Sequence, residues 1–196
     1  MLDEGCKAIA KAVESLPRLT ELHLYSNSMR ESLSTLLVSL LGCPSLEVLD
    51  LSDNQLYLDT AQLLGPLLQK CPRLRALNLN DCNMDEKTNE VVLHHLESRG
   101  EHLLLSKLGY KYNDLLDAQP MRLLELFFRP GRQVERLEIS GNDFEEDVKE
   151  LYLRTLHEQN LPRLALSKFE SDEEDEEYDD LEEAANENLV FDELYF

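Results

Sequence analysis

Tryptophan is absent from these 196 residues, and aromatic residues make up only 7% of the chain. The seven glycines are scattered, which excludes a glycine-rich loop built to cradle phosphates. Cations are scarce, with 19 Lys and Arg against 40 Asp and Glu and a net charge of −21. A nucleic-acid backbone needs clustered cations, so that partner class is excluded, and a basic protein surface is the favoured one. Cys6, Cys43, Cys71 and Cys82 form no CxxC pair and have no histidine at zinc spacing. Neither a metal site nor a disulfide is expected, and the four are read as reduced thiols. No run approaches the roughly 18 uninterrupted apolar residues of a membrane helix. Residues 1–18 carry charges throughout, unlike a secretory leader. A cytoplasmic protein without a membrane partner is the expectation.

What is present is one pattern written five times: Lxx(L)x(L)xx(N/C)x(hydrophobic). The copies are Leu19-Leu22-Leu24-Asn27-Met29, Leu46-Leu49-Leu51-Asn54-Leu56, Leu74-Leu77-Leu79-Cys82-Met84, Leu105-Leu108-Tyr110-Asn113-Leu115 and Val134-Leu137-Ile139-Asn142-Phe144, opening 27, 28, 31 and 29 residues apart. This is the leucine-rich-repeat signature at a length that pairs each strand with a helix. One strand and one helix cannot bury their apolar faces alone, whereas stacked units can. An α/β solenoid is therefore expected, with parallel strands on the concave face, helices on the convex face and right-handed connections.

The apolar spacing predicts helices over 2–16, 31–41, 59–70, 85–98, 114–128 and 145–159, and strands over 19–24, 46–51, 74–79, 105–110 and 134–139. Cys43 and Cys71 share the frame Cys-Pro-x-Leu, and Cys82 fills the Asn slot, so all three read as repeat positions. A sixth, degenerate copy starts at Leu161 or at Leu164. The solenoid is assigned to residues 1–168. The remaining segment, 169–196, has 14 acidic residues and no Lys or Arg. Removing those 14 charges from −21 leaves −7 on the rest. Such a composition reads as a largely disordered tail, ending in the apolar stretch 189–196. Ser171 precedes Asp-Glu-Glu, a context for phosphorylation by an acid-directed kinase. The chain opens inside a repeat, which leaves the strand at 19–24 as a bare sheet edge where self-association is expected.

The ordered series of repeats followed by an acidic run resembles the later repeats of Ran GTPase-activating proteins. Glu21-Leu-His-Leu-Tyr-Ser-Asn27-Ser-Met-Arg30, Val48-Leu-Asp-Leu-Ser-Asp-Asn54, Leu77-Asn-Leu-Asn-Asp-Cys82 and Leu137-Glu-Ile-Ser-Gly-Asn142-Asp-Phe-Glu-Glu carry it. The stretch 99–105 and Lys107-Leu-Gly-Tyr-Lys-Tyr112 depart from the pattern. The resemblance implies docking of the GTPase Ran to stimulate GTP hydrolysis, in the cytoplasm or at the nucleus and its envelope. It supplies no catalytic residue, because in that family the residues most tied to hydrolysis lie in earlier repeats. Asn27 and Asn54 read as structural ladder asparagines.

The x positions of LxLxx face away from the core. Among them Glu21, Tyr25, Asp50, Asp53, Asp81 and Glu138 are the candidate partner-binding residues. Their carboxylates would meet basic groups of Ran or of another basic protein. His94-His95 cannot form a two-histidine site, since adjacent helical side chains diverge by about 100°. No catalytic triad has a motif around it, and no cofactor is implied. The alternative to Ran docking is an acidic leucine-rich-repeat scaffold, or a histone-chaperone-like binder.

Overall fold

The computed structural model describes residues 3–116, 118–129 and 132–142, together with positions 150 and 154. Among the described residues five short strands, β1 (Glu21–His23), β2 (Val48–Asp50), β3 (Ala76–Asn78), β4 (Lys107–Gly109) and β5 (Arg136–Glu138), form one parallel sheet in sequence order. The register advances one repeat per strand. Leu22 pairs with Leu49, Leu49 with Leu77, Leu77 with Leu108 and Leu108 with Leu137. Those leucines point at the helices, and all but Leu22 are fully buried. Each motif hydrophobe therefore packs on its copy in the next repeat, which is why the core runs through the stack.

On the side of the sheet that these leucines face lie the described helices α1 (Asp3–Val13), α2 (Ser32–Leu40), α3 (Leu58–Ala61), α4 (Leu64–Lys70), α5 (Glu86–Arg99) and α6 (Gln119–Phe127). The expected helix over 59–70 is broken into α3 and α4. Pro66 explains the break: it lacks an N–H, and its ring would collide with the carbonyl of Gln62 in a continuous helix. The helix expected from residue 114 starts only at Gln119. Asp114 holds a left-handed φ of 51°, and the buried Leu115 fills the last motif position instead. Helix α1 ends at Val13, three residues short of expectation. The expected helix over 145–159, the sixth copy, the acidic segment with Ser171 and the apolar terminus lie outside the described residues.

Neighbouring repeats also cap one another. Helix α2 has no side-chain cap of its own. Asp3 of α1 supplies one, accepting from the backbone N–H of Arg30 and of Ser32 at 3.2 Å and from the Ser32 hydroxyl. The Ser32 hydroxyl chiefly accounts for an Asp3 pKa below the ordinary carboxylate value. At helix C-termini the repeat cysteines take this role. Cys43 donates to the carbonyl of Leu16 at 3.4 Å, and Cys71 to that of Leu40 at 3.5 Å. The 99–105 stretch forms a 3₁₀ turn, Gly100–His102. Arg132 fastens the segment after this turn, donating to the carbonyls of Leu103 and Leu105 while its guanidinium lies 5.0 Å from the Phe127 ring.

Candidate functional site

The register sorts the side chains that face away from the helices into rows. One row crosses the sheet as Glu21, Val48, Ala76, Lys107 and Arg136, and the next as His23, Asp50, Asn78, Gly109 and Glu138. The motif places Tyr25, Ser52, Asn80, Lys111 and Ser140 in a third. The face is therefore graded rather than uniformly acidic. Carboxylates dominate β1 and β2, with Glu21 Oε2 3.6 Å from His23 Nε2, while cations enter on β4 and β5. Lys107 lies 3.3 Å from Glu135, and Arg136 pairs with Glu138.

Across the middle runs a polar floor. The Asp50 carboxylate accepts from the Ser52 N–H at 3.0 Å and hydroxyl at 2.6 Å, and from Asn78 at 3.1 Å. Asn78 Oδ1 accepts the Asn80 N–H at 3.1 Å. Asn80 in turn accepts the Lys111 N–H at 2.8 Å and donates to Glu138 at 3.2 Å. That last bond skips a whole repeat, and Gly109 makes it possible. A Cβ on Gly109 would collide with Asn78 Oδ1 and come within 2.8 Å of Asn80 Oδ1. Without a side chain there, the two carboxamides lean over β4, and Asn80 meets Glu138 beyond it.

Two of the six candidate residues are therefore not free carboxylates on a rim. Asp50 is 8% exposed and Glu138 6%, and both are bonded into the floor. Besides Ser52 and Arg136, each two residues off, their partners Asn78 and Asn80 sit 28 and 58 residues away, and no local motif reveals the longer reach. The other four are exposed. Glu21 lies on β1, Tyr25 is 52% exposed, and Asp53 and Asp81 stand beside each other where the chain leaves its strands.

Asp53 and Asp81 occupy the position just before the Asn/Cys slot. In every repeat that position is left-handed: Ser26 at φ 54°, Asp53 and Asp81 at 52°, Tyr112 at 54° and Gly141 at 67°. Asp, Asn and Gly tolerate this region best, which is one reason acids stand there. Four of these positions are pinned by a backbone bond into the next repeat: Ser26 N–H to Ser52 at 3.0 Å, Asp53 N–H to Asn80 at 2.9 Å, Asp81 N–H to Lys111 at 2.7 Å and Tyr112 N–H to Ser140 at 3.2 Å. Tyr112, absent from the candidate residues, extends the same row and is 47% exposed. Its ring lies against Gly141, where a Cβ would collide with it, and Lys111 Nζ sits 5.7 Å from the ring centre. Its motif offset, shared with Asp53 and Asp81, was the available signal.

The slot residues are structural. Asn54 Oδ1 accepts the Met29 N–H at 2.9 Å, while Nδ2 donates to the carbonyls of Leu24 and Leu51 at 2.8 and 2.9 Å. Asn113 and Asn142 repeat the arrangement. Asn27 donates to the Tyr25 carbonyl at 2.7 Å. The four cysteines are free and buried, and burial pushes the thiols of Cys71 and Cys82 up to about 11 and about 12. His95 packs over Gly65, and burial holds its pKa below the ordinary value. Among the described residues no group of three or more His, Cys, Asp or Glu could hold a metal ion, and no helix is long and apolar enough to cross a membrane.

Comparison with known proteins agrees with this geometry. The leucine-rich-repeat family model matches residues 42–56, the span that closes α2, forms β2 and contains Asn54. A ribonuclease inhibitor from Sus scrofa is 27% identical over 148 residues, covering 74% of this chain and 32% of that protein. The chain thus spans under a third of the length of this curated relative. Repeated motif, parallel one-per-repeat strands, bonded slot residues and these two likenesses together give the chain the α/β solenoid fold of leucine-rich-repeat proteins.

Proposed function

We propose that this chain is a protein-docking module, that its open sheet face and the adjoining rim receive a positively charged surface of another protein, and that a Ran-type GTPase is that partner. The observation that carries the docking is the outward face, which the described residues leave uncovered. Its exposed Glu21, Tyr25, Asp53 and Asp81 are not needed for the core, whereas the alternate positions are committed to it. Ran comes from the sequence resemblance. The Sus scrofa relative is, by name, an inhibitor of a ribonuclease, and only the idea of one protein acting on another by docking is carried over from it. Exposed carboxylates would steer and orient a basic partner, speeding association more than tightening the final complex. The described residues of the face offer no activated nucleophile or base, so the module would hold the GTPase rather than supply its chemistry.

The test is hydrolysis by GTP-loaded Ran with and without the full chain, with binding read in the same samples. Binding without acceleration supports a docking role. Acceleration would mean that residues assigned to the ladder, Asn27 first, act on the nucleotide. Absence of both would remove Ran. The acidic run 172–183 favours a second reading, an acidic scaffold that captures basic proteins such as histones. Histone binding lost on deletion of 170–183 would select it.

A further inference from the structure

Building on the docking proposal, we infer that the partner is gripped along the rim from Tyr25 through Asp53 and Asp81 to Lys111 and Tyr112, and that it presents an arginine-bearing loop followed by a carboxylate. Three features of the face lead there. The floor is already spent: both oxygens of Asp50, the carbonyl oxygen and amide nitrogen of Asn80, and both oxygens of Glu138 are hydrogen-bonded within the chain. A partner reaching the floor would exchange one hydrogen bond for another, with little net gain. The rim is the reverse case. Among the described residues no hydrogen bond reaches the carboxylate of Asp53 or Asp81, yet the backbone beneath each is fixed by a left-handed turn and a bond into the next repeat. Little freedom is left to lose there on binding.

Aromatic platforms bracket the acids. Tyr25 and Tyr112 are half-exposed, and Tyr112 has one side seated on Gly141. Tyrosines held in this way are the usual anchors of protein interfaces. A guanidinium satisfies both kinds of neighbour, pairing with a carboxylate and stacking on a ring. Lys111, at the Tyr112 end, calls for an anion and so gives the loop a direction. The strip crosses three strand spacings, about 14 Å, which an extended segment of about four residues spans. A flat or anionic partner surface fits none of this.

Two probes test the inference: a synthetic peptide with two arginines two residues apart and a glutamate behind them, and GTP-loaded Ran. The variant is Asp53→Asn with Asp81→Asn, because asparagine keeps the left-handed preference and removes only charge. Backbone NMR of the full chain should show the peptide shifting the amides of 25, 53, 81, 111 and 112. The double variant should weaken both probes about tenfold, a loss of about 1.4 kcal/mol shared between two exposed charge contacts. Lys111→Glu should weaken the glutamate-bearing peptide and leave a peptide lacking the glutamate unchanged or tighter. Peptide shifts confined to 172–183 or to the helices would overturn the rim assignment, as would Ran binding that the double variant does not alter. Ran failing to bind while the peptide maps to the rim would reject Ran and leave the surface standing.

Discussion

Replacing Asn54 by Ala tests the ladder at its best-defined rung. The side chain is 3% exposed and serves one donor, the Met29 N–H, and the carbonyls of Leu24 and Leu51 at 2.8–2.9 Å, with Ser52 at 3.1 Å. Alanine abandons all of them without admitting water. At about 1 kcal/mol net for each of the three short bonds, the loss is about 3 kcal/mol. Cys82 shows how the slot manages with less. Its thiol keeps the donation to the preceding repeat, to Leu51 at 3.4 Å, but it offers no acceptor to the N–H of Leu56. That N–H turns instead to the Cys82 backbone carbonyl at 3.0 Å. Asn54→Cys should therefore cost about half as much as Asn54→Ala, about 1.5 kcal/mol. In urea, with a slope of about 2 kcal/mol per molar, the alanine variant should unfold about 1.5 M earlier. The Met29 amide should also lose exchange protection. A midpoint moved by less than about 0.3 M, with Met29 still protected, would refute the reasoning.

Other buried contacts give further tests. Tyr110 stands where the motif calls for Leu and donates to Asn89 Oδ1 at 2.8 Å, both side chains fully buried. Tyr110→Phe should strand that oxygen and cost about 1–3 kcal/mol by urea unfolding. Arg122 of α6 clasps Glu97 at 2.7 and 2.8 Å and Glu90 at 2.7 Å, both on α5. The hydrogen bond from Arg122 is the largest cause holding Glu90 and Glu97 below the ordinary 4.5. Their stabilisation is present above the unfolded-state value and lost as pH falls through the lower folded one. Urea midpoints between pH 6 and pH 3 should therefore fall more steeply for the native chain than for Arg122→Met, and parallel curves would contradict the clasp. A disulfide-exchange reagent at pH 8 should find no reactive thiol in the folded chain and four in urea, because Cys6, Cys43, Cys71 and Cys82 are all buried. Rapid labelling of native protein would count against that packing.

The repeat frame was readable because it is local. Leu22, Leu49, Leu77, Leu108 and Leu137 recur at a fixed offset from the slot, and that offset set strand, helix and face together. The departures have equally local causes, Pro66 dividing one helix and Asp114 delaying another. The site was less legible. Glu21, Tyr25, Asp53 and Asp81 fall on the exposed surface as their motif offsets imply. Asp50 and Glu138 share an offset with other outward positions, yet bonds from Ser52 and Asn78 hold the first and bonds from Arg136 and Asn80 the second, and the absence of a side chain at Gly109 lets Asn80 reach across a whole repeat. Arg136 and Tyr112 went unselected because a net charge of −21 draws the eye to carboxylates rather than to the residues that break their run.

Docking of Ran stands or falls on the association rate of GTP-loaded Ran with the full chain, measured across ionic strength. The rate should fall as salt rises, and its dependence should be visibly flatter once Asp53→Asn and Asp81→Asn remove two rim charges. Equal salt slopes for the two proteins, or no association at any ionic strength, would contradict docking of Ran at this rim.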